Sequence, residues 1–115
     1  MRSPLHHPDR GEISLDRVLH ALSDPIRRDI ARVMYQEGSR SCGQLVYPIA
    51  KSTLSHHLKV LREAGVMHTE VRGTTRIITL RRDDLEARFP GLLDATQITG
   101  PAPDAEPAGA GTAPA

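Results

Sequence analysis

The stretch Lys51-Ser-Thr-Leu-Ser-His-His-Leu-Lys-Val-Leu-Arg-Glu-Ala-Gly65 leaves this chain few ways to fold. Ser52 is a good N-cap residue and Gly65 a good helix stop, so the spacing predicts one helix between them. Leu54, His57, Leu58 and Leu61 recur at the interval of a buried stripe. Ser52, Ser55, His56 and Lys59 recur at the same interval on nearly the opposite side, with no carboxylate and no large apolar group among them. Such a helix suits docking on a domain while its outer face lies in the major groove of DNA. An ordinary amphipathic surface helix has the same apolar stripe, so the rest of the chain must decide.

Charge decides part of it. Residues 51–82 hold seven Lys or Arg against two Glu, residues 83–115 one Arg against six acids, and residues 1–50 seven Arg against six acids. A basic block inside a chain of net charge +1 points to a polyanion partner for that block alone. A merely solvated face would interleave its carboxylates. The single cysteine, Cys42, precludes an intrachain disulfide and fits a reducing, cytoplasmic setting. The N-terminus has no apolar run of signal-peptide type, and no stretch reaches transmembrane length, so no membrane partner is expected. With 115 residues, no Trp and one Phe, the expectation is one domain with an aliphatic core.

Along the chain, residues 1–11 lack periodicity and carry two prolines, which reads as a flexible arm. Ile13, Leu15, Val18, Leu19 and Leu22 make a first helical stripe, starting near Ser14. Ser23-Asp24-Pro25 is a restart signal, with Asp24 as cap and Pro25 at the first helical position. Ile26, Ile30, Val33 and Met34 then line a second helix ended by Gly38, with Arg27, Arg28 and Arg32 off the stripe. Residues 42–46 read as a short helix, Tyr47 to Ala50 as a tight connection, and the Lys51–Gly65 region as the longer partner helix of a helix-turn-helix. After Gly65 the period changes to two. Met67 to Val71 and Thr75 to Leu80 read as strands joined at Arg72-Gly73-Thr74, a hairpin carrying Arg72 and Arg76 near its tip. A basic hairpin placed directly after a helix-turn-helix is a wing. A last helix over 83–89 stops at Pro90, Leu92 and Leu93 form a further apolar patch, and residues 97–115 read as a disordered Pro/Ala/Gly-rich tail. The expected fold is mainly α with a β-hairpin, a winged helix-turn-helix of order α-α-α-α-β-β-α, spanning residues 12–96.

This order of elements, with Leu22-Ser-Asp-Pro-Ile-Arg-Arg-Asp-Ile-Ala31 and Ser52-Thr-Leu-Ser-His-His-Leu-Lys-Val-Leu-Arg-Glu-Ala-Gly-Val66, resembles the ArsR/SmtB family of bacterial winged-helix regulators over about residues 14–93. The resemblance implies a homodimer that binds double-stranded operator DNA and responds to a metal ion or another signal. It implies DNA-facing roles for Ser52, Thr53, Ser55, His56 and Lys59, with Lys51 at the helix start, and backbone contacts from Arg72 and Arg76. It implies a dimer built from the first helix and the C-terminal segment, hence from Leu15, Leu19, Leu85, Phe89, Leu92 and Leu93. The chain departs from the family where many members carry Cys-x-Cys, since it reads Ser41-Cys42-Gly43. It also has no His beyond His68, so neither familiar metal site carries over.

His57, on the apolar stripe, reads as a packing histidine, and His56 as the one for DNA. Cys42 reads as a small buried thiol, with a redox switch as its rival. Ser55, His56 and His57 are helix neighbours that cannot face one another, so no catalytic set exists and no enzyme is expected. The signal is open between two readings. One is a transition metal, nickel or zinc rather than a thiophilic ion, held by the pair His6-His7 joined to His20 or to a carboxylate such as Asp9 or Asp16. The other is a metal-independent regulator governed by another ligand or partner. A winged-helix module for protein–protein contact is the rival to DNA binding.

Overall fold

A computed structural model describes residues 5–99 of the chain. Helix α1 (Leu15–Ala21) begins where Ser14 Oγ accepts from the Arg17 N–H at 3.4 Å. Helix α2 (Pro25–Glu37) begins with Asp24 Oδ1 accepting from the N–H groups of Ile26 and Arg27 at 2.8 and 3.1 Å. Pro25 sits at the first helical position and Gly38 follows the last, as the sequence predicts. Strand β1 (Arg40–Ser41) leads into a 3-10 turn, Cys42–Gln44, and then the connection to helix α3 (Lys51–Glu63). Strands β2 (Met67–Arg72) and β3 (Thr75–Leu80) form the wing, followed by α4 (Arg82–Arg88) and α5 (Leu92–Ala95). The three strands make one antiparallel sheet in the order β1-β3-β2.

Four differences from the sequence reading have physical causes. The helix expected over 42–46 is only a 3-10 turn: the Leu45 N–H closes on the Cys42 carbonyl at 3.2 Å, the backbone is extended at Leu45 itself, and that side chain enters the core while Val46 is 86% exposed. Helix α3 starts at Lys51 with Ala50 as the cap position, because the Leu54 N–H reaches the Ala50 carbonyl at 3.0 Å; Ser52 therefore lies inside the first turn rather than capping it. Strand β1 pairs Arg40 with Ile78 and Ser41 with Ile77, a contact too short to show any period in sequence. Arg72 pairs with Thr75 within the sheet, leaving a two-residue turn with Gly73 at φ +61°.

The core is aliphatic. Ile30, Leu61, Val66, Met67, Ile78, Leu85, Leu93 and Ile98 are among its fully buried members. Ile98 comes from the segment expected as tail. Gln97 adopts φ +66°, the Ile98 N–H bonds the Leu93 carbonyl and the Gln97 N–H that of Asp94, so these residues close α5 by a Schellman turn. At the other end, Pro8 is buried, Arg81 donates to the Pro8 carbonyl at 2.6 Å, and Arg10 pairs with Asp84 at 2.7 Å. Residues 5–11, expected as flexible arm, thus lie against the wing base and α4. Residues 1–4 and 100–115, the remainder of the expected arm and tail, lie outside the described residues.

Gly65 is a position where glycine is required. It follows α3 at φ +87°, with the Val66 N–H on the Leu61 carbonyl and the Gly65 N–H on that of Arg62. A Cβ there would stand 2.7 Å from Ile13 Cγ1. This turn sends the chain from α3 directly into the wing and so fixes one relative to the other.

Candidate nucleic-acid interface

The inner face of α3 is held by packing and by one guanidinium. His57 is 8% exposed and Leu61 fully buried. Arg27, also buried, donates from Nε to the Ala21 carbonyl at 2.7 Å and from NH2 to the His20 carbonyl at 3.2 Å. Its NH1 lies 3.0 Å from His57 Nδ1. Arginine only donates, so Nδ1 accepts and the ring proton resides on Nε2. One side chain therefore satisfies the Ala21 carbonyl at the end of α1, adds to the donors already on the His20 carbonyl, and locks α3 to α2. The sequence reading placed His57 on the buried side, as the structure does, but set Arg27 and Arg32 off the stripe. Both are buried, Arg32 donating to the Gln97 carbonyl at 3.2 Å and pairing with Asp29 at 3.0 Å. No periodicity marks an arginine that is buried because it caps another element's carbonyls.

The entry to α3 is held from the same helix. Tyr47 Oη donates to Asp29 Oδ2 at 2.7 Å, and burial together with that bond pushes the phenol's pKa up. The connection before α3 is thus anchored to α2, although the preceding segment is not helical.

Among the described residues the outer face carries no such ties. Lys51, Ser52, Thr53, Ser55, His56 and Lys59 are all exposed, and no carboxylate belongs to the set. On the wing, Arg72 and Arg76 are exposed as well. Arg72 pairs with Glu70 at 3.1 Å, an exposed ion pair of small worth that leaves the cation available. Arg76 has no ion pair among the described residues. The eight residues singled out for DNA thus share exposure on two consecutive elements whose relation Gly65 fixes.

The other singled-out residues separate. Leu15 and Leu19 are 43% and 46% exposed on α1, and Phe89 and Leu92 are half-buried. Leu85 and Leu93 are not available to a second copy, because each is buried in the protomer's own core. His6 and His20 are exposed, while His7 is bound: its Nε2 accepts from the Thr69 N–H at 3.0 Å and its ring stacks on His68 at 4.3 Å. Burial, aided by His68 and by Arg62 and Arg81, lowers the His7 pKa. His6, His7 and His20 do not form a metal-holding group, and no cluster of three His, Cys, Asp or Glu suited to a metal occurs among the described residues. Cys42 is half-buried; burial raises its pKa and the Arg76 cation opposes that.

A helix-turn-helix domain profile matches residues 22–70, from the end of α1 into the wing. The chain is 38% identical over 81 residues to the uncharacterized HTH-type transcriptional regulator YceK of Bacillus subtilis (strain 168), covering 68% of this chain and 81% of that protein. Its fold is similar to the crystal structure of an ArsR family transcriptional regulator, with a TM-score of 0.59 and 21% identity, covering 73% of this chain and 93% of the other. The chain belongs to the helix-turn-helix transcriptional regulators, on the winged-helix fold seen in the ArsR family.

Proposed function

We propose that the chain binds operator DNA sequence-specifically as a twofold homodimer, with α3 in the major groove and the wing along the backbone. The observation that carries this reading is the outer face of α3, an exposed, carboxylate-free row of hydroxyl, imidazole and ammonium groups on a helix locked from behind. Ser55, His56 and Lys59 have the donors and acceptors for base edges, and Arg72 and Arg76 the charge for phosphates. Leu15 and Leu19 supply an exposed apolar stripe that a second copy would cover, and the half-buried Phe89 and Leu92 are the C-terminal candidates for the same interface. Twofold pairing would space two recognition helices about one DNA turn apart. Cytoplasmic residence accords with this role, and among the described residues no helix is long and apolar enough to cross a membrane.

A gel shift with DNA from upstream of the gene is the test. Retarded complexes that survive excess random DNA are expected; equal competition by random DNA would reduce the reading to non-specific binding. Light scattering is expected to show a dimer at micromolar concentration.

Response to nickel or zinc through His6, His7 and His20 is a second reading that rests on the resemblance to metal-responsive regulators; the stacking of His7 on His68 at 4.3 Å does not aim their in-plane lone pairs at one point. A metal there would have to take His7 Nε2 from the Thr69 N–H. Calorimetry with nickel and zinc on wild type and on a His6→Ala/His7→Ala variant tests it. Heat lost in the variant would support the arm histidines, and no heat with either protein would leave a metal-independent regulator.

A further inference from the structure

Between α3 and the sheet lies a partly enclosed cleft of about 380 Å³. Its polar lining is Arg62 and Ser55 from α3, Thr69 and Arg76 from the wing, and Cys42 from the 3-10 turn; Leu58 and Ile78 make its apolar walls. No carboxylate lines it. Two of its polar groups are unpartnered although buried. Thr69 is 6% exposed and its Oγ1 has no hydrogen-bond partner, and Arg62 Nε is likewise without one. Buried polar groups are nearly always paired, so an orphaned hydroxyl and an orphaned guanidinium N–H on one cleft signal a missing acceptor. The nearest carboxylate on Arg62 is Glu63 at 3.9 Å, beyond hydrogen-bonding range. Arg76 brings a second cation with no ion pair among the described residues.

We propose that this cleft binds a small organic carboxylate, its anionic end between Arg62, Arg76 and the Thr69 hydroxyl and its body against Leu58 and Ile78, and that filling it weakens DNA binding. The volume lies at the small end for ligand pockets. A phosphate of intact DNA is the poorer occupant, because the Arg62 side chain is only 12% exposed and Thr69 less, deeper than a phosphodiester in a duplex can reach. The coupling follows from shared residues and rests on the DNA-binding reading. Arg76 cannot hold the ligand and follow the DNA backbone together, and Ser55 lies on both the cleft and the outer face of α3. Two ligands that compete for the same groups lower each other's affinity by the same factor.

Cys42, the single thiol of the chain, is a built-in reporter on the cleft wall. Its thiolate can displace iodide from iodoacetate, a small carboxylate, or from neutral iodoacetamide of nearly equal size. In the native DNA-free protein the iodoacetate-to-iodoacetamide rate ratio is expected to exceed that of the same thiol in urea by about tenfold, the weight of one charge-assisted contact. Iodoacetate alone should show saturation. Arg62→Gln and Arg76→Gln should each lower the ratio, and Arg76 is exposed, so its variant is expected to fold even if the other does not. A native ratio equal to the urea ratio, or one unchanged by Arg76→Gln, overturns the site. The S-carboxymethyl protein should then lose operator affinity about tenfold while the S-carbamidomethyl protein retains it. Equal loss in both would assign the cleft to DNA phosphate, and equal retention would overturn the coupling. Failure of unmodified protein to shift DNA would instead defeat the DNA-binding reading and the coupling built on it, while the alkylation ratio still judges the cleft.

Discussion

His56 and His57 are neighbours in sequence, with ring centroids 6.3 Å apart, and their surroundings are opposite. His57 is buried and accepts from Arg27; His56 is exposed, and its side chain makes no hydrogen bond or ion pair among the described residues. The same division runs along α3, where Leu61 and His57 face the core while Ser52, Ser55, His56 and Lys59 face outward. The difference teaches that the two faces answer to different demands. Positions on the inner face should govern stability and leave DNA selectivity to follow, whereas positions on the outer face should alter DNA binding with the fold intact.

The largest effect is expected from Leu61→Ala. Emptying a fully buried leucine site should cost about 3 kcal/mol in urea denaturation. A loss under 1 kcal/mol would blur the distinction between the faces. Gly65→Ala comes next, since φ +87° costs an L-residue about 1–2 kcal/mol before its Cβ meets Ile13. Because this glycine joins α3 to the wing, its replacement should also weaken DNA binding.

Asp24→Ala should cost about 1 kcal/mol by uncapping α2. The same group sets an acid dependence. Burial pushes the Asp24 carboxyl up, but the N–H groups of Arg27 and Ile26 and the Arg27 cation outweigh it, leaving the pKa below its usual 3.8. The Arg10 bond to Asp84, with Arg81 assisting against burial, lowers that carboxyl likewise. A lowered folded pKa gives stability that is complete above the ordinary value and lost as pH falls through the folded one. Thermal scans should therefore show both contributions intact at pH 6 and fading below about pH 4. Asp24→Asn should make the decline shallower.

The smallest stability effect is expected on the wing. Arg76→Ala should leave the melting temperature within a degree or two while flattening the salt dependence of DNA binding by about one phosphate contact. An unchanged salt slope would remove Arg76 from the interface.

Much of this division was legible in the chain. The apolar interval separated His57 from His56, and Asp24-Pro25, Gly38 and Gly65 marked real boundaries. These signals are local, each arising from a few residues' backbone needs. What escaped depends on partners distant in sequence. Arg27 is buried where it donates to the Ala21 carbonyl at the end of α1, Thr69 meets a ring 62 positions away, and Ile98 closes a core that residue order alone does not outline. The segment at 42–46 misled because its apolar residues suit a helix, whereas the chain turns extended at Leu45, which enters the core, and the Tyr47 bond to Asp29 anchors the connection that follows. Of the candidate sites, the exposed DNA row followed from periodicity, whereas the cleft over Thr69 required the sheet and α3 to be seen together.

The central claim is that the outer face of α3 reads base sequence. Its most direct measurement is the ratio of operator to random-DNA affinity at fixed salt for wild type and His56→Ala, with thermal melting as the control for folding. The account expects unchanged melting and a ratio lowered by about tenfold, on the order of one lost base contact worth 1–3 kcal/mol. A variant whose ratio equals that of wild type would contradict it.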